Sequence, residues 1–440
     1  MIIHGMRVNI FNKLNRLVPV KWRWIFQHEG VRRYSANAGW LLFGQVSSAA
    51  ISFAISVLVA RQLGPASYGL LNYVISFITL FGFIASLGIY DIVKREFIGQ
   101  DKQQTDRLLG TGWTLCFLGA VLAIICLILV LIIIRQDWPT SRMVVLLSLI
   151  FLLQSFTVID LFFQAKVQSG LSAWAQIGGT IIRSIGLIIC LLAGWPLIYL
   201  ILAYLFGSLA NQLILLVYYR RYGSYWSWSF DAVLAKKILR QSWPLILSSA
   251  SLLIYARLDQ LLVRNLIGDT AAGFYAVAVK LSEIWYFIPT LLVAAVFPAL
   301  VAARQSDLFL YRQRWRRLLI LFIVSSIGLA GLLSVFSRWL IGSFFGNQYL
   351  AAVPAMLIYN WTAVGFFFAV ILNNYFIIEQ QTRWNFLVNG SAAIANIVFN
   401  LLLIPHLGIV GAAWATIASY AVLLVVGFLA IKLSKSYVRE

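Results

Sequence analysis

Five ionisable side chains stand inside long apolar runs of a 440-residue chain that is only 11% charged: Arg183, Arg257, Asp259, Lys280 and Glu283. An Arg or Lys at the centre of a bilayer costs about 2.5–3.5 kcal/mol on insertion scales, so such groups face a protein interior or a watery cavity. Arg183, Lys280 and Glu283 fall near the middle of their runs, and Arg257 and Asp259 in the outer third. Three cations at that depth suit a dianionic group such as a pyrophosphate, which guanidinium holds well when partly desolvated. The acids Asp259 and Glu283 are the groups that would carry coupling protons or Na+. Spacing limits the pairing. Lys280 and Glu283 are i,i+3 and share a helix face. Arg257 and Asp259 are i,i+2 and diverge, so the partner of either is expected on the neighbouring span, at Glu283 or Lys280. Arg183 has no acid at i±3 or i±4 and needs Asp160 or an anionic substrate. The other reading is that these charges neutralise one another and hold the helices together.

Amides form a second group. Asn385, Asn389, Asn396 and Asn400 fall at offsets 0, 4, 11 and 15, close to one helix face. Such a stripe lines a sugar-binding cavity or bonds helix to helix; the sequence leaves both open. Enzyme constellations are missing. There is no GxxxxGK[ST] for nucleotide phosphates, no HExxH for zinc and no DxD pair for a metal-bound sugar nucleotide. His4, His28 and His406 are far apart, and Cys116, Cys126 and Cys190 lie in apolar runs without metal or disulfide spacing. No cofactor is expected beyond coupling H+ or Na+.

The elements that must position these groups are membrane helices. The chain is 62% hydrophobic with mean hydropathy +0.89, and apolar runs of about 20 residues recur throughout. Barrel strands would be half as long and strictly alternating. About twelve spans are expected, near 38–60, 70–93, 109–134, 143–165, 171–193, 197–219, 241–263, 271–301, 316–337, 353–378, 384–404 and 408–431. Pro289 falls about mid-span and is expected to kink its helix or let it bend.

Loop charge gives the orientation. Of 34 Lys and Arg, 26 lie on the side holding both termini, 5 on the other, and Arg183, Arg257 and Lys280 inside spans. Both termini are therefore expected in the cytoplasm, and the net charge of +20 is a topology signal, with no nucleic-acid partner implied. Basic loops such as Tyr311 to Leu318 are expected to touch anionic lipid headgroups. The first 37 residues are basic and mixed, with no apolar core of a cleavable leader. Within them, Val8 to Phe26 has the Lys, Arg and Trp of an interfacial anchor or forms a loose arm. The expected division is a basic arm 1–37, a six-helix bundle 38–219, a basic linker 220–240, a second bundle 241–432 and a tail 433–440. The short outward joints leave no room for an extracellular catalytic domain.

One joint recurs. Residues 58–70 read LVARQLGPASYGL and residues 262–274 read LVRNLIGDTAAGF. Gly64 and Gly69 repeat the five-residue step of Gly268 and Gly273, with Arg61 and Arg264 just before, one residue out of step. Two similar halves of the same orientation are the arrangement of parallel transporter repeats. The motif ARQLGPASYG (Ala60 to Gly69) resembles the first outward loop of Wzx-type polysaccharide/oligosaccharide flippases, a branch of the multidrug/oligosaccharidyl-lipid/polysaccharide exporter superfamily. So do LDQLLVRNLIGDTAAGFYAVAVKLSE followed by IPTLLVAAVFPAL, and NLLLIPHLGIVGAAWATIAS (Asn400 to Ser419). Ile267 and Asp269 depart from the Gly-Pro form of the first joint.

The resemblance implies an all-α polytopic membrane protein, two pseudo-symmetric six-helix bundles around a central cavity. It implies a non-enzymatic flippase of the cytoplasmic (inner) membrane that moves polyprenyl-pyrophosphate-linked oligosaccharide by alternating access. The product would be surface polysaccharide such as O-antigen or exopolysaccharide. The lipid tail would stay in the bilayer through a lateral opening. Membrane lipids and polysaccharide polymerase or export machinery would be its partners. The cationic cavity would map to Arg183, Arg257 and Lys280 on depth alone, with Asn385, Asn389 and Asn396 toward the sugar. A cation-coupled drug or metabolite antiporter of the same superfamily is the alternative, and an integral-membrane enzyme of polysaccharide assembly a third reading. The excess of buried cations over buried acids favours an anionic substrate.

Overall fold

Apolar side chains with no polar break leave the backbone to satisfy its own hydrogen bonds, and in lipid only helices or closed barrels do so. The computed structural model describes residues 29–223, 227–379 and 381–437, and these form helices with no strand among them. The candidate interfacial stretch Val8 to Phe26 lies outside the described residues. In chain order the helices are α1 (Glu29–Ser86), α2 (Tyr90–Glu96), α3 (Lys102–Ile133), α4 (Trp138–Ser148), α5 (Ile150–Gln154), α6 (Thr157–Ala165), α7 (Ser169–Leu192) and α8 (Leu197–Tyr219). They continue as α9 (Ala232–Ile267), α10 (Asp269–Glu283), α11 (Phe287–Ser306), α12 (Leu308–Leu340), α13 (Val353–Tyr359), α14 (Thr362–Ile378) and α15 (Thr382–Tyr437). A π turn (Ile341–Phe345) and a 3₁₀ turn (Asn347–Ala352) separate α12 from α13.

Among the described residues, nine helices are long and apolar enough to cross a membrane, or ten if the bent pair ending in α14 is one span. The expectation of about twelve counted separately the arms of the two longest. α1 and α15 hold 58 and 56 residues, and about 20 residues span a bilayer. Each turns at a glycine of positive φ, Gly64 (73°) and Gly408 (60°), where the absence of Cβ removes the steric cost. The outer flanks of other helices carry bare apolar side chains. Leu192, Ile133 and Val335 are each more than three-quarters exposed, as lipid-facing residues should be.

Three expectations are revised. The run 271–301 is broken between Glu283 and Phe287. Pro289 sits in the first turn of α11, where a missing N–H leaves no helix bond unmade, so it does not kink a mid-span helix. The basic stretches 220–240 and 302–317 run partly as helix, started by Asp231 and Asp307. Each carboxylate accepts two backbone N–H groups, at 2.9 and 3.0 Å for Asp231 and 2.8 and 3.2 Å for Asp307. The sequence Tyr311 to Leu318 is therefore a helical face within α12.

The helices form two lobes. α1 packs on α3 and α7, and α7 on α8; in the second lobe α9 and α14 pack on α15, and α12 on α14. The lobes meet where α1 packs against α9 and α10. The meeting place is the recurring joint itself. A Cβ on Gly69 would lie 1.9 Å from the Asp269 carbonyl oxygen, and one on Gly273 would lie 2.0 Å from that of Pro65. Each joint thus inserts its second glycine against the first turn of the other. Both arginines reach across the same seam. Arg61 donates to the carbonyls of Ser343 and Phe344. Arg264 pairs with Asp269 at 2.6 Å, donates to Thr140 at 3.0 Å, lies 3.6 Å from Asp137 and stacks over the Tyr73 ring at 4.2 Å. One apolar core runs through both lobes at this end, including Tyr68, Phe77, Tyr275 and Tyr349. Toward the other end it gives way to separate clusters in each lobe.

Candidate functional site

Below the sealed joint lies a cavity of about 420 Å³ between the lobes. The first arm of α1 supplies Ser52 and Ser56, its second arm Asn72 and Ser76, α7 Arg183, α8 Tyr204, α9 Arg257 and Gln260, and α10 Lys280 and Glu283. Four charges from three helices therefore face one space. Lys280 and Glu283 reach it together because i,i+3 residues share a helix face. Arg257 and Gln260 do so for the same reason.

The pairing inside the cavity is uneven. Arg257 Nη1 lies 3.4 Å from Glu283 Oε2, and Tyr359 donates its hydroxyl to Glu283 Oε1 at 2.9 Å. Glu283 is thereby occupied, and the i,i+3 pair with Lys280 is not formed. Among the described residues Lys280 has no carboxylate within 4.0 Å. Arg183 has none either. It donates to Ser52 Oγ at 2.6 Å and packs over the Tyr204 ring at 5.2 Å. Asp160 accepts from Gln164 instead, at 2.8 Å. The cavity thus carries three cations against one acid. A charge held in such a place is costly unless something opposite enters.

The remaining candidates lie elsewhere. Asp259 is 1% exposed and turned away from the cavity. It accepts from the Tyr275 hydroxyl and from Gln260 N–H at 2.8 Å, so its role in this conformation is to tie α9 to α10. The asparagine stripe faces α14 and itself. Asn389 donates to Asn373 Oδ1 at 3.2 Å, Asn385 to the Asn373 carbonyl at 3.4 Å, and Asn400 to Asn396 Oδ1 at 2.9 Å. None of Asn385, Asn389 and Asn396 lines the inter-lobe cavity.

Side chains that the sequence reading did not single out complete the site: Ser52, Tyr204, Gln260 and Tyr359. Ser52 and Gln260 are polar residues inside apolar runs, which was their available signal. Tyr204 and Tyr359 carried none, since tyrosine is ordinary in a membrane helix.

The sequence matches the family described as "Polysaccharide biosynthesis protein" over residues 35–304, well over half of the chain. The chain belongs to the polysaccharide biosynthesis protein family. A curated relative, "Lsg locus putative protein 1" of Haemophilus influenzae, is 22% identical over 413 residues, covering 90% of this chain and 97% of that protein. Two solved structures share the fold of this polysaccharide biosynthesis protein. One is a multidrug resistance MATE family transporter of the MOP superfamily in an inward-facing conformation, with a TM-score of 0.75, 14% identity, and 89% and 95% of the two chains covered. The other is the lipid II flippase MurJ in an inward closed conformation, with a TM-score of 0.65, 14% identity, and 89% and 87% covered. At those identities the likeness is one of fold. The family resemblance read from the three sequence motifs therefore holds. So does the all-α, two-lobed architecture of a multi-span membrane protein.

Proposed function

We propose that this protein flips a polyprenyl-pyrophosphate-linked oligosaccharide across the cytoplasmic membrane for surface polysaccharide export. The observation that carries the reading is the excess of cations in the inter-lobe cavity: Arg183 and Lys280 lack acid partners among the described residues, and Arg257 has one long ion pair. A pyrophosphate supplies the missing negative charge, and Arg forks match its oxygens. The lipid tail stays in the bilayer while headgroup and sugar occupy the cavity. With both termini in the cytoplasm, as the loop charges indicate, the Gly69–Gly273 seam is the outward gate. The cavity then opens toward the cytoplasm, ready to load. Rocking of the lobes, the first ending near 219 and the second beginning near 241, exchanges the two openings.

Glu283 is the preferred coupling group. It holds Arg257 inside the cavity, so its protonation, or its capture by Na+, frees a third cation for the substrate. Glu283→Gln is expected to bind polyprenyl pyrophosphate several-fold tighter than wild type and to flip at a rate indifferent to an imposed H+ or Na+ gradient. Flipping in proteoliposomes with and without the gradient checks this; a variant that still follows the gradient removes Glu283 from the coupling.

The test of function is transport by wild-type protein in proteoliposomes, with fluorescent polyprenyl-pyrophosphate oligosaccharide in one arm and a cationic dye in the other. Flipping of the first without uptake of the second is the expected result. Gradient-driven uptake of the dye, with no flipping, would instead make the protein an antiporter.

A further inference from the structure

A second cavity, of about 440 Å³, lies inside the first lobe between α1, α7 and α8. It shares Ala49, Ser52, Arg183 and Tyr204 with the inter-lobe cavity, so Arg183 stands at the doorway between the two. Its walls are polar at a depth where the rest of the lobe is apolar: Gln45, Ser48, Gln176, Ser208 and Asn211. Two glycines make the space. Gly179 and Gly207 line it, and a Cβ on Gly207 would lie 2.4 Å from Arg183 Cβ. The α7 and α8 backbones thus touch, and longer side chains on either side stand around a hollow.

Hydrogen-bond accounting separates the two cavities. In the inter-lobe cavity most of the neutral polar groups are already partnered. Ser56 bonds Tyr68 at 2.8 Å, Ser76 donates to Gln260 at 2.5 Å, and Asn72 and Thr79 donate to carbonyls at 2.8 and 2.7 Å. In the second cavity, among the described residues, Gln45, Gln176, Ser208 and Asn211 make no side-chain hydrogen bond to protein. Ser48 is 6% exposed, and its hydroxyl has no partner. Gln45 and Gln176 are exposed and Ser208 and Asn211 half-buried, so their amides and hydroxyl are free to meet water or a ligand rich in hydroxyls, and the buried Ser48 hydroxyl needs such a partner.

We propose that this cavity is the saccharide subsite, resting on the function proposed above. The pyrophosphate sits at Arg183, Arg257 and Lys280, and the first sugars lie in the hollow beyond Arg183, against Gln45, Ser48, Gln176 and Asn211. Amides and hydroxyls both donate and accept, which is what a ring of sugar hydroxyls requires. The volume falls within the range of small-ligand pockets. The buried asparagine stripe of α15 is thereby left out of sugar recognition.

Two probes test the subsite: synthetic polyprenyl pyrophosphate without sugar, and the polyprenyl-pyrophosphate glycolipids extracted from the cells that make this protein. Wild type is expected to bind the glycolipids about tenfold more tightly, the effect of a few neutral hydrogen bonds. Gln176→Leu with Asn211→Leu is expected to abolish that preference while leaving the affinity for the sugar-free lipid within about twofold. Lys280→Met should weaken both. Ser208→Ala with Gln176→Ala, smaller changes, serves if the leucine pair does not fold. A preference retained in the folded variants, or absent in wild type that binds the sugar-free lipid, overturns the subsite and spares the pyrophosphate site. Wild type that binds neither probe overturns the proposed function and the subsite with it.

Discussion

Alanine at Gly69 or Gly273 is expected to force the lobes apart at their seam and to reduce flipping at least about tenfold. The new Cβ would sit 1.9 or 2.0 Å from a backbone carbonyl oxygen of the opposite lobe. No side chain can rotate out of the way, so a helix must shift. Overpacking of this kind costs about 1–3 kcal/mol. That cost falls only on the conformation in which the joints interlock. A two-state transporter whose one state is strained by about 1.4 kcal/mol changes its population ratio tenfold. Spin labels at exposed Gln62 and Asn347, on the two sides of the seam, report the change as a longer distance distribution. A distribution identical to wild type, in a variant that still flips, would show that the joints tolerate separation and do not gate.

The second large effect concerns charge. Lys280→Met and Arg183→Met are each expected to lower affinity for polyprenyl pyrophosphate by about a hundredfold, since losing one member of a desolvated charge pair costs about 2–5 kcal/mol. Both variants should insert and fold at least as well as wild type, because each removes a cation that no acid neutralises. Arg257→Met differs. It leaves Glu283 with only the Tyr359 hydroxyl, so both folding and binding should suffer. Parallel measurements of yield and affinity separate the two classes. Loss of yield in Lys280→Met without loss of binding would assign that lysine to packing.

Much of this was legible in the sequence, for physical reasons that also explain the rest. A charge inside an apolar run has few uses, so Arg183, Arg257, Lys280 and Glu283 stand out from the sequence alone, and helical spacing places the last two on one face. Parity excluded an Arg257–Asp259 contact and pointed to the neighbouring span, where Glu283 was found. Periodicity identified the face shared by Asn385, Asn389 and Asn396 but not what that face meets, which is Asn373 of α14 for the first two and Asn400 of the same helix for the third. The Gly64–Gly69 and Gly268–Gly273 repeat was readable as a repeat. That its two copies bite into each other was not, because similarity between segments says nothing about their contact. The hollow near Arg183 was hidden for another reason: Gly179 and Gly207 create it through side chains they lack.

The proposed function requires the inter-lobe cations to hold a pyrophosphate. Titration of detergent-solubilised wild type and Lys280→Met with a short-chain prenyl pyrophosphate, and with the corresponding prenyl amine, tests it most directly. Wild type is expected to bind the pyrophosphate, the variant markedly more weakly, and neither is expected to bind the amine. Equal affinity of both proteins for the pyrophosphate, or tighter binding of the amine, would contradict it.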